Sequence, residues 1–334
     1  MTPMKKLLSL LLALALLLPL LSAPALAADR PKEIPVLSPE QTRETPKGIH
    51  HYLLICFGDV WHVDLKNPPH TDGMVLVTVD EYAKRVMLTS FIRDMIIQRG
   101  PDDFARINNI VPMYSPGKPK KMDGAAGLQM LVDTINSHFD LRIEKFIAMD
   151  WSMVQNIVDA VGGVDIKITG KEARYLRNYS ITGQTTPRLG DAGTYHFPGH
   201  AAVIYMRIRK VANIAGETQD VGRTRRARTV LINIADSLKN ITYDEALKLL
   251  DVIVNNILYT NMTTDDLMEA LEIAMKLRGV PVEQIRMPVK GTFYPKALAG
   301  MATQELDFEA NRKALWDFFL NSYVVADDEE EAAE

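Results

Sequence analysis

The order of apolar segments between residues 50 and 168 constrains the fold more than any other feature of the sequence. Three short apolar runs, HYLLICF, MVLVTVD and RVMLTSF, predict strands, and the residues EYAK between the last two predict a hairpin. The next segments alternate, since GAAGLQMLVDTINSHF and SMVQNIVDAVGG have helical spacing whereas EKFIAMD and VDIKI are typical of strands. Alternation of this kind predicts a layered α/β fold, and the hairpin predicts a mixed rather than a wholly parallel sheet.

The rest of the chain predicts one surface loop and a mainly helical C-terminal part. Residues 170–198 are polar and rich in turn-forming residues, which favours a loop. Helices are predicted at 223–238, 243–257 and 263–278, and a strand is predicted near QIRMPV. We therefore expect a single layered α-β-α domain with a central mixed sheet.

The two ends of the sequence predict segments outside this domain. MKKLLSLLLALALLLPLLSAPALAAD has the basic start, leucine-rich run and small-residue end of a secretory signal, so residues 1–27 are predicted to be a signal peptide, with an uncleaved anchor as the alternative. Residues 28–49 are expected to form a proline-containing linker. Residues 326–334 carry six acids and are expected to be a disordered tail. The protein is thus expected to be extracytoplasmic, secreted or associated with the outer face of the membrane.

Residues 207–228 carry a concentration of positive charge. This segment, RIRKVANIAGETQDVGRTRRAR, has seven basic side chains against two acids, although the formal net charge of the protein is −4. Helical phase, set on the apolar positions of the helix predicted there, directs Arg223 and Arg226 toward the core. It directs Arg225 and Arg228 toward water.

Inward-facing arginines need anionic partners, because an unpaired buried guanidinium is costly. One interpretation is a pair of internal salt bridges, with Asp220 or another acid as the partner. The other is an anion pocket at the helix N-terminus, where free amides and the helix dipole help to bind phosphate. Arg207 and Arg209 lie just upstream and favour the pocket. Export and the absence of any second basic motif argue against nucleic acid as a partner.

Acidic residues lie at the predicted ends of strands. Arg93 and Asp94 end RVMLTSFIRD, Asp59 follows LLICFG, and Asp72 precedes GMVLVTV. Carboxylates at such an edge can share a hard divalent cation, typically Mg²⁺, with phosphate oxygens completing its shell. Each aspartate taken alone is more often a turn or cap residue than a metal ligand.

These motifs occur together in the order found in one known family. The segments LLICFGD, TDGMVLVTVD, VMLTSFIRD, KFIAMDWSMVQNIVDAVGGVDIKI, FPGHAAVIYMRIRK and DVGRTRR resemble the LytR-CpsA-Psr family of cell-wall glycopolymer ligases. The likeness runs from about residue 52 to residue 238, and NMTTDDLMEAL with IRMPVKG resembles the family's usual C-terminal extension. On this basis residues 50–240 are predicted to be the catalytic domain, and residues 241–325 a C-terminal helical extension packed on the same domain.

The resemblance implies a hydrophobic tunnel for a polyprenyl chain and an arginine-rich mouth for its pyrophosphate. It implies a phosphotransferase that moves a glycopolymer, such as teichoic acid or capsular polysaccharide, from undecaprenyl pyrophosphate to a peptidoglycan acceptor at the membrane surface and cell wall. Two alternatives stay open: a non-catalytic exported binder of polyprenyl phosphate or anionic wall polymer, and a polyprenyl-pyrophosphate hydrolase.

The resemblance also implies roles for individual residues. Asp59 and Asp72 would be Mg²⁺-associated carboxylates, and Asp94 would orient Arg93 or assist proton transfer. The residues expected to contact the pyrophosphate are Arg93, Arg207, Arg209, Arg223, Arg226 and His70, the last in place of a family arginine. Ile92 and Ala227 stand where the family has a proline and a glutamine, which lowers the expectation of full catalytic competence.

Overall fold

A computed structural model describes residues 30–58, 63–114, 124–177 and 191–320 of the chain. The strands in this part are β1 (Ile49–Phe57), β2 (Thr71–Asp80), β3 (Arg85–Phe91), β4 (Ile96–Gly100), β5 (Asp103–Arg106), β6 (Lys145–Met149), β7 (Val164–Ile168), β8 (Gly193–Phe197), β9 (Tyr259–Thr260), β10 (Val282–Met287), β11 (Phe293–Leu298) and β12 (Met301–Leu306). The helices are α1 (Ile110–Met113), α2 (Gly124–Phe139), α3 (Trp151–Ala160), α4 (Gly170–Leu176), α5 (Gly199–Met206), α6 (Gln219–Ser237), α7 (Tyr243–Asn256), α8 (Thr264–Leu277) and α9 (Phe308–Leu320).

Six strands form the central sheet, in the order β10–β3–β2–β1–β6–β9. The pairs β1–β2, β2–β3 and β6–β9 are antiparallel, whereas β1–β6 and β3–β10 are parallel. The predicted mixed sheet and its early hairpin are therefore confirmed. Strands β1 and β3 point in the same direction, so their C-terminal ends lie at one edge of the sheet, beside the start of β2.

Both faces of the sheet are covered, as the pleat of β1 illustrates. Leu53, Ile55 and Phe57 pack into a hydrophobic cluster with α2 and α9. The intervening residues Leu54 and Cys56 contact a second cluster that includes α3, α5 and part of α6. Since alternate residues of a strand point to opposite faces, this burial pattern places helices on both sides. The predicted α-β-α layering is confirmed.

The interval 170–198 differs from the loop that its polar composition predicts. Residues 170–176 form helix α4, which begins with a capping box in which Thr169 and Glu172 satisfy each other's backbone N–H groups. Residues 193–197 form β8, which pairs antiparallel with β7. The loop prediction was wrong for both segments, and residues 178–190 lie outside the described residues.

The segment expected to be a linker, residues 28–49, packs on the domain where it is described. The backbone N–H of Leu37 donates to the Ser137 carbonyl at 3.0 Å, and that of Ile34 donates to Gln98 Oε1 at 2.6 Å. Ile34 also contacts the hydrophobic cluster around α2. The structure therefore differs from a free spacer, because apolar residues between the prolines have a surface to bury against.

The C-terminal interval, residues 241–325, contributes strands as well as helices. β10 and β9 are the two edge strands of the central sheet, and β11 and β12 form a hairpin. Within that hairpin the Gln304 N–H donates to the Asp94 carbonyl at 2.9 Å. This interval thus completes the sheet, whereas the sequence suggested a mainly helical addition.

The predicted signal peptide and the acidic tail both lie outside the described residues. Among the residues that are described, no helix has the length and apolar character needed to cross a bilayer.

Two buried histidines predict acid sensitivity of the fold. His138 accepts the Gln98 N–H through Nε2 at 3.1 Å and donates from Nδ1 to the Thr134 carbonyl at 2.8 Å, so the neutral ring satisfies both contacts. Burial lowers the pKa of His138 to about 4, and burial likewise lowers the pKa of His51 to about 4. Both values lie below the ordinary histidine pKa of about 6.5 in an unfolded chain.

Because the depressed pKa values favour the neutral form in the fold, their stabilising effect is complete above pH ~6.5 and declines as the pH falls toward 4. Each histidine is expected to remove on the order of 3 kcal/mol from the free energy of unfolding over that interval. Urea unfolding at several pH values between 7.5 and 4 measures the loss. His138→Gln removes one titrating group and should flatten the slope; an identical slope in this variant would contradict the assignment.

Candidate active site

Charged side chains from three parts of the chain meet at the edge where β1 and β3 end and β2 begins. Asp72 is the second residue of β2, and Arg93 follows β3 by two residues. Helix α6 packs across β2 and β3 and brings two further charges in its first turns. We use the name arginine–aspartate cluster for Arg93, Arg209, Arg223, Asp72 and Asp220.

Asp72 binds two guanidinium groups at once. Arg93 Nη1 donates to Asp72 Oδ1 at 2.6 Å, and Arg223 Nη1 donates to Asp72 Oδ2 at 2.7 Å. Arg223 Nη2 donates in addition to the Asp72 carbonyl at 2.7 Å. Burial alone would raise the pKa of Asp72, but the charges of Arg223 and Arg93 outweigh it and lower the pKa. Asp72 is therefore an anion at neutral pH.

Asp220 contacts the guanidinium groups of Arg93 and Arg223, as Asp72 does, and also that of Arg209. It accepts from Arg93 Nε at 3.3 Å and from Arg209 Nη2 at 3.3 Å. Its Oδ1 lies 3.4 Å from Arg223 Nε, one helical turn along α6. The sequence identified Asp220 only as one salt-bridge partner for an inward arginine; its spacing of three residues from Arg223 was the signal that it belongs to the site.

Asp94 lies beside the cluster and has an unusual carboxyl group. Its Oδ1 is buried and has no hydrogen-bond partner among the described residues. Burial, followed by the charge of Asp220, raises the pKa of Asp94, and this effect exceeds the opposing charges of Arg93 and Arg223. Such a carboxylate is a stronger proton acceptor than an exposed one.

Arg207 lies near the cluster, with its guanidinium carbon 5.8 Å from the centre of the Trp151 ring. The charge of Arg207 also acts on the buried thiol of Cys56, near the end of β1. The pKa of Cys56 is raised first by burial and then by Asp72, and it is lowered by the charges of Arg223 and Arg207. Arg93, Arg207, Arg209 and Arg223, which the sequence assigned to one anion, are therefore close to the same edge of the sheet.

Arg226 does not reach this edge, which corrects its assignment as an anion contact. Its side chain has no solvent exposure, and Nε donates to Glu172 Oε1 at 2.7 Å. Nη1 and Nη2 donate to the carbonyls of Ile208 and Val211 at 2.9 and 2.8 Å. The internal salt bridge considered for an inward arginine is what forms here, with Glu172 as a partner that the sequence did not identify. The capping pattern Thr169–Glu172 was the available signal for α4.

The outward assignment of Arg228 was wrong. Arg228 is only 2% exposed, and its guanidinium donates to Gln284 Oε1 at 2.7 Å and to Ser90 Oγ. Helical phase failed because the first half of α6 is covered on two sides, by β7 and α5 on one and by β3 and β10 on the other. Arg225, which was also expected to face water, is only 12% exposed at its side chain and pairs with Glu217, Nε to Oε2 at 2.5 Å.

The sequence also assigned His70 and Asp59 to this site, as an anion contact and a metal ligand. His70 is exposed and immediately precedes β2, and its carbonyl accepts the Gly58 N–H at 3.0 Å. Asp59, the other expected metal ligand, lies outside the described residues.

Gly58 leaves room for the Asp72 carboxylate. A Cβ added at Gly58 would lie 2.3 Å from Asp72 Cγ, far inside van der Waals contact. Gly58→Ala is therefore expected to displace Asp72 from its two arginines and to lower the free energy of unfolding by about 1–3 kcal/mol. Chemical denaturation measures the loss. Gly100→Ala is the matched control, since an added Cβ there meets nothing within 4 Å; equal losses in the two variants would contradict the steric explanation.

The cluster suits an anion more than a metal held by protein ligands alone. Among the described residues there is no group of three or more His, Cys, Asp or Glu side chains able to hold a metal ion. Asp72 nevertheless has spare acceptor capacity, since an ionised carboxylate offers about four lone-pair sites and Arg93 and Arg223 use two. That donor set fits Mg²⁺ bound by one or two carboxylates with substrate phosphate oxygens.

Four guanidinium groups lie at this edge, those of Arg93, Arg207, Arg209 and Arg223. They are accompanied by the carboxyls of Asp72, Asp94 and Asp220, and Asp150 directly follows the neighbouring strand β6. Arg209 is 42% exposed at its side chain, so it can turn toward a ligand from solvent. Planar guanidinium groups bind phosphate with two parallel hydrogen bonds, so this arrangement can bind and neutralise a phosphate or pyrophosphate.

Comparison with known proteins agrees with this description. The model of the LytR_cpsA_psr family matches residues 58–315. A protein from Oceanobacillus iheyensis named polyisoprenyl-teichoic acid–peptidoglycan teichoic acid transferase TagU is 26% identical over 204 residues, which are 60% of this chain and 56% of that protein. Biofilm regulatory protein A of Streptococcus mutans is 25% identical over 174 residues, 49% of this chain and 38% of that protein. The chain spans about half the length of these curated relatives.

Solved structures share the fold. The crystal structure of B. subtilis TagV has a TM-score of 0.59 and 19% identity, covering 82% of this chain and 98% of that one. A second, titled LytR-CPS2A-psr family protein YwtF (TagT) with bound octaprenyl pyrophosphate lipid, has a TM-score of 0.58 and 17% identity, covering 84% of this chain and 95% of that one. At these identities the likeness establishes the fold.

Proposed function

The chain belongs to the LytR-CpsA-Psr family, and we propose that it is a phosphotransferase that attaches a glycopolymer to peptidoglycan. The donor is the polymer linked to undecaprenyl pyrophosphate, and the polymer class is teichoic acid or capsular polysaccharide. The observation that carries the proposal is the arginine–aspartate cluster, in which arginines from β3, from the segment after α5 and from α6 meet around two carboxylates. The transferase names of the curated relatives support the choice of reaction.

The cluster suits this reaction because the charge that must be stabilised is on phosphate. The acceptor hydroxyl oxygen forms a bond to the phosphorus that carries the glycan, and the bond from that phosphorus to the bridging oxygen breaks. The bridging oxygen leaves on the polyprenyl phosphate with the electron pair. Arg93, Arg209 and Arg223, with Arg207 close by, neutralise the negative charge that develops there, which is the main contribution a protein makes to phosphoryl transfer.

Asp72 and Asp220 keep these guanidinium groups together before the substrate binds. Without the two carboxylates, Arg93 and Arg223 would repel each other and turn toward water. Asp72 bonds two of the arginines and Asp220 contacts three, but each guanidinium has five N–H groups, so the arginines retain N–H groups for phosphate oxygens. The site is therefore pre-organised for an anion.

Mg²⁺ is proposed as the cofactor, with Asp72 and Asp59 as its carboxylate ligands and phosphate oxygens as the rest of its shell. When bound, it would neutralise phosphate charge and orient the pyrophosphate. Asp94 is proposed as the group that accepts the proton of the acceptor hydroxyl, because its raised pKa and its unbonded Oδ1 suit a general base.

The lipid part of the donor needs apolar surroundings. A cavity of about 670 Å³ lies beside the hydrophobic cluster of α2, with Ile110, Tyr114, Met130 and Leu141 among its lining residues. We propose that part of the polyprenyl chain occupies this side of the sheet. We also propose that the protein works outside the cytoplasm at the membrane surface, which the signal-like sequence of residues 1–27 supports.

The test is a reconstituted reaction with purified full-length protein, Mg²⁺, a lipid-pyrophosphate-linked glycan and peptidoglycan oligomers. The proposal expects glycan joined to the acceptor and polyprenyl phosphate released. Release of glycan phosphate to water without ligation would indicate a hydrolase instead. Retention of the lipid with no bond cleavage would indicate a binding protein, and either result would overturn the transferase proposal.

A further inference from the structure

Arg226 is buried away from the cluster, yet it contacts the backbone that carries two of the proposed pyrophosphate ligands. Its carbonyl partners are Ile208, which lies between Arg207 and Arg209, and Val211. We propose that Arg226 and Glu172 are positioning residues, which fix segment 207–211 so that Arg207 and Arg209 point at the anion. This inference rests on the proposed function for the identity of the anion.

The geometry is that of a rigid three-point attachment. The guanidinium of Arg226 is planar and directs its three bonds to three acceptors on two elements, Glu172 of α4 and the two carbonyls. Glu172 is itself fixed, because its Oε2 accepts the Thr169 N–H at 2.9 Å within the capping box. Movement of segment 207–211 would therefore break bonds that cannot be replaced by water, since both charged side chains are buried.

Segment 207–211 has little other regular structure to define its path. Helix α5 ends at Met206, and helix α6 begins at Gln219. The N–H groups of Arg207 and Ile208 donate to carbonyls of α5 at 3.2 Å, and the Arg209 carbonyl accepts the Gln219 N–H at 2.7 Å. The Arg226 side chain adds a bond to the carbonyl before Arg209 and another to a carbonyl two residues after it, so we expect the backbone path at Arg209 to depend on Arg226.

The chain contains a matched arrangement that is remote from the site. Arg85 Nε and Nη2 donate to Glu283 at 2.7 Å each, while Nη1 and Nη2 donate to the carbonyls of Phe319 and Phe318 at 2.8 and 2.9 Å. Arg85 begins β3, whereas Arg93 follows its other end, so at about 3.3 Å per residue the two are roughly 20 Å or more apart. Arg85→Met thus removes the same kinds of bonds without touching segment 207–211.

The experiment uses full-length protein and inorganic pyrophosphate as the probe, with affinity measured by calorimetry and backbone mobility by hydrogen exchange. Arg226→Met and Arg226→Lys are each expected to weaken pyrophosphate binding about tenfold and to speed exchange in residues 207–211 about tenfold. Lysine retains the charge but cannot make the three bonds. Arg85→Met is expected to leave pyrophosphate affinity and exchange in residues 207–211 within twofold of wild type. This holds even if its thermal stability falls as much as that of the Arg226 variants.

Three results would overturn the inference. Wild-type affinity in Arg226→Lys would mean that charge alone matters. An equal loss of affinity in Arg85→Met would mean that general destabilisation is the cause. Unchanged exchange in residues 207–211 would mean that Arg226 does not fix the segment. If both Arg226 variants fail to fold, Glu172→Gln, which removes the carboxylate charge while keeping the side-chain size, is measured by the same criteria.

Failure of the proposed function gives a different pattern. A wild-type protein that binds pyrophosphate but ligates no glycan would remove the transferase assignment and leave the positioning role intact. A wild-type protein that does not bind pyrophosphate would remove the anion assignment, and the exchange rates of residues 207–211 would then decide whether Arg226 and Glu172 fix the segment.

Discussion

Replacing Arg223 by methionine is expected to lower the rate of the proposed glycopolymer transfer by about 10²- to 10³-fold, because one of the groups proposed to stabilise charge on the leaving phosphate is lost. Arg223 contributes more than the other arginines to the organisation of the site, since it bonds both the side chain and the carbonyl of Asp72 and also lies against Asp220. Its loss leaves Asp72 with one guanidinium in place of two. We expect the effect mainly in kcat/KM, measured with the reconstituted ligation assay.

Arg225→Met is the control for this measurement. Arg225 is on the same helix and has the same charge, but it pairs with Glu217 rather than with Asp72 or Asp220. Its removal should change ligation less than about threefold, because its bonds to Glu217 lie outside the arginine–aspartate cluster and only a nonlocal charge effect remains. Similar losses in the two variants would mean that the total positive charge of α6 matters and that the cluster does not act as a specific site.

Replacing Arg226 alone by methionine is expected to lower the free energy of unfolding by about 3–5 kcal/mol, because Glu172 is then left as a buried charge without a partner. The double variant Arg226→Met with Glu172→Met is expected to lose less than the single variant, since no buried charge remains. Urea or guanidinium unfolding monitored by circular dichroism measures both. This order of stabilities follows from the high cost of an unpaired charge and the small net value of a buried pair.

The control for these stability measurements is a variant of an exposed ion pair. Lys313→Met removes one partner of the exposed pair with Asp317 on α9 and should change the free energy of unfolding by less than about 1 kcal/mol. A double variant at Arg226 and Glu172 that is less stable than the single Arg226 variant would contradict the expectation, and would mean that the bonds of Glu172 to Thr169 contribute more than the unpaired charge costs.

The strand and helix pattern of residues 50–168 could be predicted because burial on both faces gives each strand a continuous apolar run, as in HYLLICF for β1. Polar segments were less predictable. Helix α4 depends on the capping pair Thr169 and Glu172, which a composition-based interpretation of residues 170–198 overlooks.

The sequence predicted the residues of the site at strand ends better than those on helix α6. Strand ends indicated Asp72, Arg93 and Asp94, but helical phase could not determine which arginines of α6 are buried. A single apolar stripe assumes one covered face, and α6 is covered on two sides over its first half, so Arg228 is buried. The sequence also could not indicate that Asp220 bonds several arginines, because that depends on where β3 places Arg93.

The hydrogen bond from Gln304 to Asp94 and the pairing of β10 with β3 have a consequence for biosynthesis. The strand that ends near Arg93 acquires its outer neighbour from residues almost 200 positions later in the sequence. A ribosome produces β1, β2 and β3 first, so β3 remains an unpaired sheet edge until residue 287 has been made. Such an edge is prone to pair with another chain. We therefore expect nascent chains truncated before β10 to require a chaperone to remain soluble, and the backbone at Asp94 to be fixed only after Gln304 has been made.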